Sequence, residues 1–237
     1  MRHHFFALCP KEKMKRDGAT ISLWQDTTPE PFTGSREPGS VTYDVLIAGG
    51  GITGVTTALM LQKRGKKCII AEAHTLCFGT TGGTTSHINT FLDTGYHIIR
   101  EKFGTEATQL VAKATNASRD LFQQLVHEYN IDCGFEEKDG FLYAVDDQQA
   151  KQLDEIYKAS KEAGVEVDYA TSIPVPVPFT KAIVYRRQAQ VHPSRYVTAL
   201  AKAFEQAGGV ILENCFVEQV KKSDADLRVN TTKGEIR

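Results

Sequence analysis

Tyr43-Asp44-Val45-Leu46-Ile47-Ala48-Gly49-Gly50-Gly51-Ile52-Thr53-Gly54 is the stretch that decides the fold. Its first six residues read as a buried strand, its glycines as a turn, and the apolar segment Ile52 to Gln62 as a helix stopped at Gly65. Cys68 to Ala71 reads as a second buried strand. Strand, helix and strand in about thirty residues is the size of a parallel right-handed crossover. Gly49, Gly51 and Gly54 satisfy GxGxxG where that spacing has a mechanical meaning. Gly49 takes the tight turn, Gly51 lets the backbone approach a pyrophosphate, and Gly54 lets helix and strand pack closely. Amides at the helix N-terminus then face the anion. Glu72, at the end of the second strand, stands where a carboxylate accepts hydrogen bonds from both ribose hydroxyls and repels a 2′-phosphate, which disfavours NADP. The plain alternative is a glycine turn used for compactness, with Glu72 a solvated strand-end residue.

The rest of the composition is ordinary. Of 237 residues 41% are apolar and 24% charged, which argues against disorder, collagen and coiled coil. With 28 basic against 29 acidic side chains there is no broad positive field for a nucleic acid. No apolar run approaches the ~18–20 residues of a membrane span. Phe5 to Leu8 is too short for a signal-peptide core, so a cytoplasmic location is expected. Cys9, Cys68, Cys77, Cys133 and Cys215 are odd in number and show neither CxxC nor Cys/His pairing, and are expected to be reduced thiols.

Residues 1–42 lack sustained periodicity and are punctuated by Pro29, Pro31, Gly34, Pro38 and Gly39, so an extended arm is expected there. Phe78 to Thr90 reads as a Gly/Thr-rich loop, and Thr105 to Tyr129 as a long helix. Asp146 and Asp147 cap a second helix that ends at Gly164. Short strands are expected at Gly140 to Ala144, Val165 to Tyr169 and Lys181 to Tyr185, with an extended surface segment through Pro174, Pro176 and Pro178. Pro193 suits the first turn of a helix carrying Tyr196, Val197, Leu200 and Phe204. Val210 to Leu212, Val217 to Lys222 and Leu227 to Asn230 read as meander strands.

Ala58 and Gly65 extend the glycine motif to GxGxxG-x3-A-x6-G with Glu72 beyond, and this resembles the dinucleotide-binding motif of FAD-dependent oxidoreductases. Gly79-Thr80-Thr81-Gly82-Gly83-Thr84-Thr85 is similar to the loop that wraps the cofactor in the D-amino-acid oxidase-like family of glycine, sarcosine and other amine or amino-acid oxidases. Within it, Ser22-Leu23-Trp24-Gln25 looks like the start of bacterial members that often end in a Rieske iron–sulfur domain. The resemblance implies an α/β fold: a Rossmann-like FAD/NAD(P)-binding domain over 43–100 and 190–237, with an inserted α+β substrate domain over 101–189. It implies FAD contacts from Gly49, Gly51, Ile52, Thr53, Gly54, Glu72, Ala73, Gly79, Thr80, Thr81 and Thr85, and adenine pairing with the Val217 backbone. The family's last piece, a strand and a helix reaching the flavin, follows the meander, whereas this sequence stops at Arg237; a C-terminally incomplete fold is expected, as is the lack of a Rieske domain.

Flavin amine oxidation asks the protein mainly to place a C–H bond against the ring, so no catalytic dyad is expected. His87, the only ionisable side chain of the threonine-rich loop, is the candidate for holding charge on the reduced cofactor; the alternative is a packed or solvent-facing histidine. Ser86 stands where sarcosine oxidase-like relatives carry a substrate-facing arginine. His192 is read as the cap of the helix opened by Pro193, Lys63, Arg64, Lys66 and Lys67 as cations at a helix C-terminus, and His3 and His4 as poor metal evidence. The expected function is oxidation of a small-molecule amine or amino acid by hydride transfer to FAD, completed by a C-terminal chain or served by a redox partner. The alternative is a truncated, non-catalytic dinucleotide-binding or interaction domain.

Overall fold

The computed structural model describes Phe6–Ala7 and residues 20–28, 32–34, 37, 41–222 and 226–237. The readings made for His3, His4, Cys9, Pro29, Pro31, Pro38 and Gly39 lie outside these residues. In chain order the elements begin with β1 (Phe6–Ala7), α1 (Leu23–Asp26), β2 (Val45–Ala48), α2 (Ile52–Lys63), β3 (Cys68–Ala71) and α3 (Thr80–Gly83). Then come β4 (His87–Ile88), α4 (Tyr96–Glu128), β5 (Glu136–Ala144), α5 (Asp147–Glu162), β6 (Val167–Ala170) and β7 (Lys181–Gln190). The chain closes with α6 (Pro193–Gln206), β8 (Val210–Leu212), β9 (Val217–Lys222), β10 (Leu227–Thr231) and β11 (Gly234–Ile236).

Two compact units result, Met1–Thr85 with His192–Arg237, and Ser86–Val191. The sequence reading sets the changes at 100/101 and 189/190 instead. The earlier boundary in the structure follows from β4, whose His87 and Ile88 pair with Gln190 and Ala189 of β7, and from Tyr96 and Ile99, which belong to the core of the second unit.

In the first unit β2, β3 and β8 form a parallel sheet, with Val45 opposite Cys68 and Ile69 opposite Val210. β3 lies in the middle and all four of its residues are buried. β2 lies at an edge, so the strand read as buried is only half-buried and ends on an exposed Ala48. β8 corrects a second reading: it joins β3 in parallel rather than opening the meander. The antiparallel sheet β1-β9-β10-β11 is separate, and it takes in Phe6–Ala7 from the segment expected to be an extended arm. That segment also forms α1, which sequence periodicity does not show because it is a single turn. Leu59 of α2 and Leu200 and Phe204 of α6 are fully buried, each stabilising the fold by ~1.5–3 kcal/mol.

The second unit is built around β7, which pairs with β5 along one edge and with β4 and β6 along the other, all antiparallel. Asp146 caps α5, its carboxylate accepting from the Gln149 amide at 2.8 Å. The long helix starts at Tyr96 rather than Thr105, and is broken at Gly104, whose φ of 84° and ψ of 173° are not helical. Val167, Ile183 and Tyr185 from the sheet and Leu153 and Ala159 from α5 share one core with Tyr96, Ile99 and Ala112. A buried polar network runs through it: Gln188 accepts from the Thr90 amide at 2.5 Å, Tyr96 donates to the Thr90 carbonyl, and the Ser160 and Tyr185 hydroxyls lie 2.8 Å apart. No helix among the described residues is long and apolar enough to cross a membrane.

Candidate functional site

The glycine turn sits at the C-terminal ends of β2 and β3 in the first unit. Gly49, at φ 115°, turns the chain where its amide donates to the Ala71 carbonyl (2.9 Å). A Cβ on Gly54 would stand 2.1 Å from the Gly49 carbonyl oxygen, so α2 rests on the turn with no room for a side chain. α2 is capped by the extended backbone of Gly51 without a side-chain hydrogen bond, which leaves its first amides to other acceptors.

Glu72 is buried, 9% exposed, and its two oxygens are both engaged. Oε2 accepts from the Gly50 amide at 2.6 Å and Oε1 from the His74 amide at 2.7 Å. The alternative of a solvated strand-end carboxylate therefore falls. Its backbone continues the β3–β8 ladder by donating to Leu212 and accepting from Cys215 (2.9 and 2.7 Å). An ionised carboxylate has about four lone-pair positions, so two amide bonds leave acceptor capacity for hydroxyl donors.

The segment read as an irregular loop contains α3, and it reaches back to the glycine turn. Thr81 Oγ1 accepts from the Ile52 amide at 3.1 Å and would stand 2.9 Å from a Cβ on Gly51. An oxygen thus already occupies the acceptor position offered by the first turn of α2. Gly79 caps α3, Thr53, Thr80 and Thr85 are exposed, and Ala73 is half-buried beside Glu72. Val217 opens β9 opposite Thr231, next to an irregularity in the ladder, and packs with Ile69, Ala71 and Leu212.

Sequence reasoning gave Ser22-Leu23-Trp24-Gln25 only a likeness, whereas the structure gives it contacts. Ser22 caps α1 in a reciprocal box with Gln25, a pattern legible as S-x-x-Q. From that turn Ser22 Oγ donates to the Gly82 carbonyl, Trp24 Nε1 to Thr84 (2.8 Å), and Gln25 Nε2 to Cys77 and Phe78 (2.9 and 3.2 Å). His192 caps α6 as read, its Nδ1 accepting from the Arg195 amide at 3.3 Å. Its Nε2 lies 2.9 Å from Thr27 Oγ1, and its ring meets Trp24 edge-on at 5.2 Å. Burial, then the Arg195 charge, hold its pKa below the ordinary histidine value.

His87 lies in the second unit, exposed on β4. Ser86 is buried beside it at φ 66°, its carbonyl accepting from the Val191 amide. The four described cysteines are free and buried; burial pushes the Cys77 thiol up to about 12 and Cys133 to about 11, so neither is poised as a nucleophile.

A family model, FAD dependent oxidoreductase (DAO), matches residues 44–237. The chain belongs to this family. Among curated proteins it is 33% identical over 207 residues to the putative Rieske 2Fe-2S iron-sulfur protein YhfW of Bacillus subtilis, covering 87% of the chain and 40% of the relative. It is 25% identical over 203 residues to gamma-glutamylputrescine oxidoreductase of Escherichia coli, covering 83% and 47%. Glycine oxidase of Geobacillus kaustophilus shares the fold at a TM-score of 0.67 and 22% identity, covering 82% of this chain and 53% of that one. The chain thus spans about half the length of the relatives it matches, or less. The cofactor is FAD, and the turn suits a dinucleotide: amide donors open α2, the Gly54 contact excludes a side chain, and Glu72 keeps acceptor capacity.

Proposed function

We propose that this chain is the N-terminal part of a flavoprotein that oxidises an amine or amino acid. The observation that carries the reading is the meeting of three features at one turn: the amide-lined start of α2, Thr81 over it, and the buried Glu72 beside Gly50. In this reading Gly49, Gly51 and Gly54 shape the turn, the Thr53 amide faces the pyrophosphate, and the Ile52 amide, held by Thr81 Oγ1 in the cofactor-free chain, turns to the pyrophosphate when FAD binds. Glu72, with Ala73 beside it, takes the ribose, Gly79, Thr80, Thr81 and Thr85 line the loop over the cofactor, and the Val217 backbone pairs with adenine. Bound FAD supplies the hydride acceptor. His87, two residues beyond Thr85 and exposed on β4, is proposed to hold charge near the reduced ring. Buried Ser86 offers no cation for a substrate carboxylate, which favours amines over simple amino acids at that position.

The names of the relatives point the same way, two of them being amine or amino-acid oxidoreductases and one a Rieske protein. We accordingly propose an electron-accepting or complementing partner, and a cytoplasmic location consistent with four free, buried thiols. The test is a visible spectrum of the purified chain after gel filtration, followed by anaerobic addition of a panel of amines and amino acids. Flavin bands that survive filtration and bleach with one class of substrate are expected, with His87→Ala bleaching more slowly while keeping its flavin. A colourless protein that FAD cannot reconstitute overturns the reading.

A further inference from the structure

The single turn α1 has no buried residue of its own, and its side chains are spent on another segment. Two of them, Trp24 and Gln25, together with the N-cap Ser22, donate to four backbone carbonyls, at Cys77, Phe78, Gly82 and Thr84. These carbonyls bracket α3 on both sides, and Thr81, whose hydroxyl meets the first amide of α2, stands between them. A four-residue helix satisfies almost none of its own end groups, so such a segment needs outside partners to keep one shape. The fit is close at Gly82, where a Cβ would lie 2.0 Å from the Cys77 carbonyl oxygen and 2.5 Å from Gln25 Nε2. On its other side α1 is tied to α6: the Trp24 ring meets His192, and His192 Nε2 reaches Thr27 Oγ1, which itself donates to the Leu23 carbonyl.

We propose that Ser22, Trp24 and Gln25 are positioning residues for FAD, a fastening that holds the 77–84 loop in the shape that carries Thr81 over the start of α2. The proposal rests on the reading of that loop as a cofactor contact. FAD then meets a loop already ordered, and the conformational entropy of fixing it is lost on folding rather than on binding. None of the three residues touches the cofactor in this scheme; each acts through a carbonyl of the loop.

Two substitutions separate the fastening from the stability of α1. Gln25→Glu keeps the oxygen that completes the capping box and removes the donor to Cys77 and Phe78. Trp24→Phe keeps an aromatic ring against His192 and removes the donor to Thr84. The readouts are the FAD dissociation constant from a fluorescence titration, amide hydrogen exchange over 78–85 in the cofactor-free chain, and the thermal unfolding midpoint. Each variant is expected to bind FAD about two- to tenfold more weakly, the range of one net hydrogen bond. Exchange over 78–85 should be faster in both, with an unfolding midpoint close to that of the parent chain for Trp24→Phe and a lower one for Gln25→Glu, whose second carboxylate oxygen faces the Cys77 and Phe78 carbonyls. Parent-like affinity in both variants overturns the fastening and leaves the cofactor reading standing. A parent chain that binds no FAD overturns both. A fall in midpoint that accounts for the whole loss of affinity, without faster exchange over 78–85, also overturns the proposal, because it assigns α1 a general structural role.

Discussion

Glu72 ties two backbone amides with one carboxylate. Before any ligand arrives it accepts the amides of Gly50 and His74, and so fixes the glycine turn to the end of β3. Glu72→Gln replaces one acceptor oxygen by an NH2 group, which faces an amide N–H that is then left without a partner. A buried donor without a partner costs about 1–3 kcal/mol, and the lost charge weakens the surviving bond as well. The cofactor-free variant is therefore expected to unfold at lower denaturant than the parent, by that amount, and to bind FAD at least about tenfold more weakly. Equal denaturation midpoints would show that the carboxylate does not hold the turn. This separates Glu72, which is buried, from Thr80 and Thr85, which are exposed.

At the scale of elements, α6 depends on a titratable cap. Thr27 donates its hydroxyl proton to the Leu23 carbonyl, so its oxygen accepts from His192 Nε2–H and leaves Nδ1 bare to accept the Arg195 amide. Protonation puts a hydrogen on Nδ1 and breaks that cap. Burial and Arg195 hold the folded pKa below the ordinary value, whereas the unfolded chain takes the proton near pH ~6.5. Stability from this group is therefore complete above the unfolded value and is lost as the pH falls through ~6.5 towards the lower folded pKa. Unfolding midpoints measured from about pH 7.5 to pH 5 should fall more steeply for the parent than for His192→Asn, which caps without titrating in that window. Parallel curves would remove the cap from the account. The cap was legible in the sequence because Pro193 marks the first helical turn and places His192 before it. So was the β2–α2–β3 crossover, whose period, glycines and Glu72 agree with one another. Other elements were not. α1 is too short for periodicity to register, and its worth lies in bonds to a loop some fifty to sixty residues away in sequence. β8 has only three residues, and nothing local distinguishes a parallel partner of β3 from a meander strand. The first part of α4 was hidden by Gly104, which interrupts the helical pattern and marks a break that the helix spans from both sides.

For the whole molecule, the second unit interrupts the first in sequence, yet its own ends meet. The Val191 amide donates to the Ser86 carbonyl at 3.2 Å, and His87 stands opposite Gln190. All of its strands pair with one another through β7, and its core, from Tyr96 to Tyr185, is drawn entirely from within residues 86–191. A continuous stretch of about 100 residues whose strands pair only with one another, with a capped covering helix and its own buried polar network, meets the conditions for an autonomous domain. The fragment 86–191, expressed alone, is therefore expected to be folded, with helical and sheet circular dichroism and one cooperative thermal transition. Tyr185→Phe in that fragment removes the hydroxyl that donates to Ser160 Oγ, whose own proton goes to the Ile156 carbonyl, and should lower the stability by about 0.5–1.5 kcal/mol, in the fragment as in the full chain. A fragment that shows no cooperative transition would mean that its core is held by the first unit. The insertion would then be a part of one folding unit rather than a domain that the nucleotide-binding sheet carries.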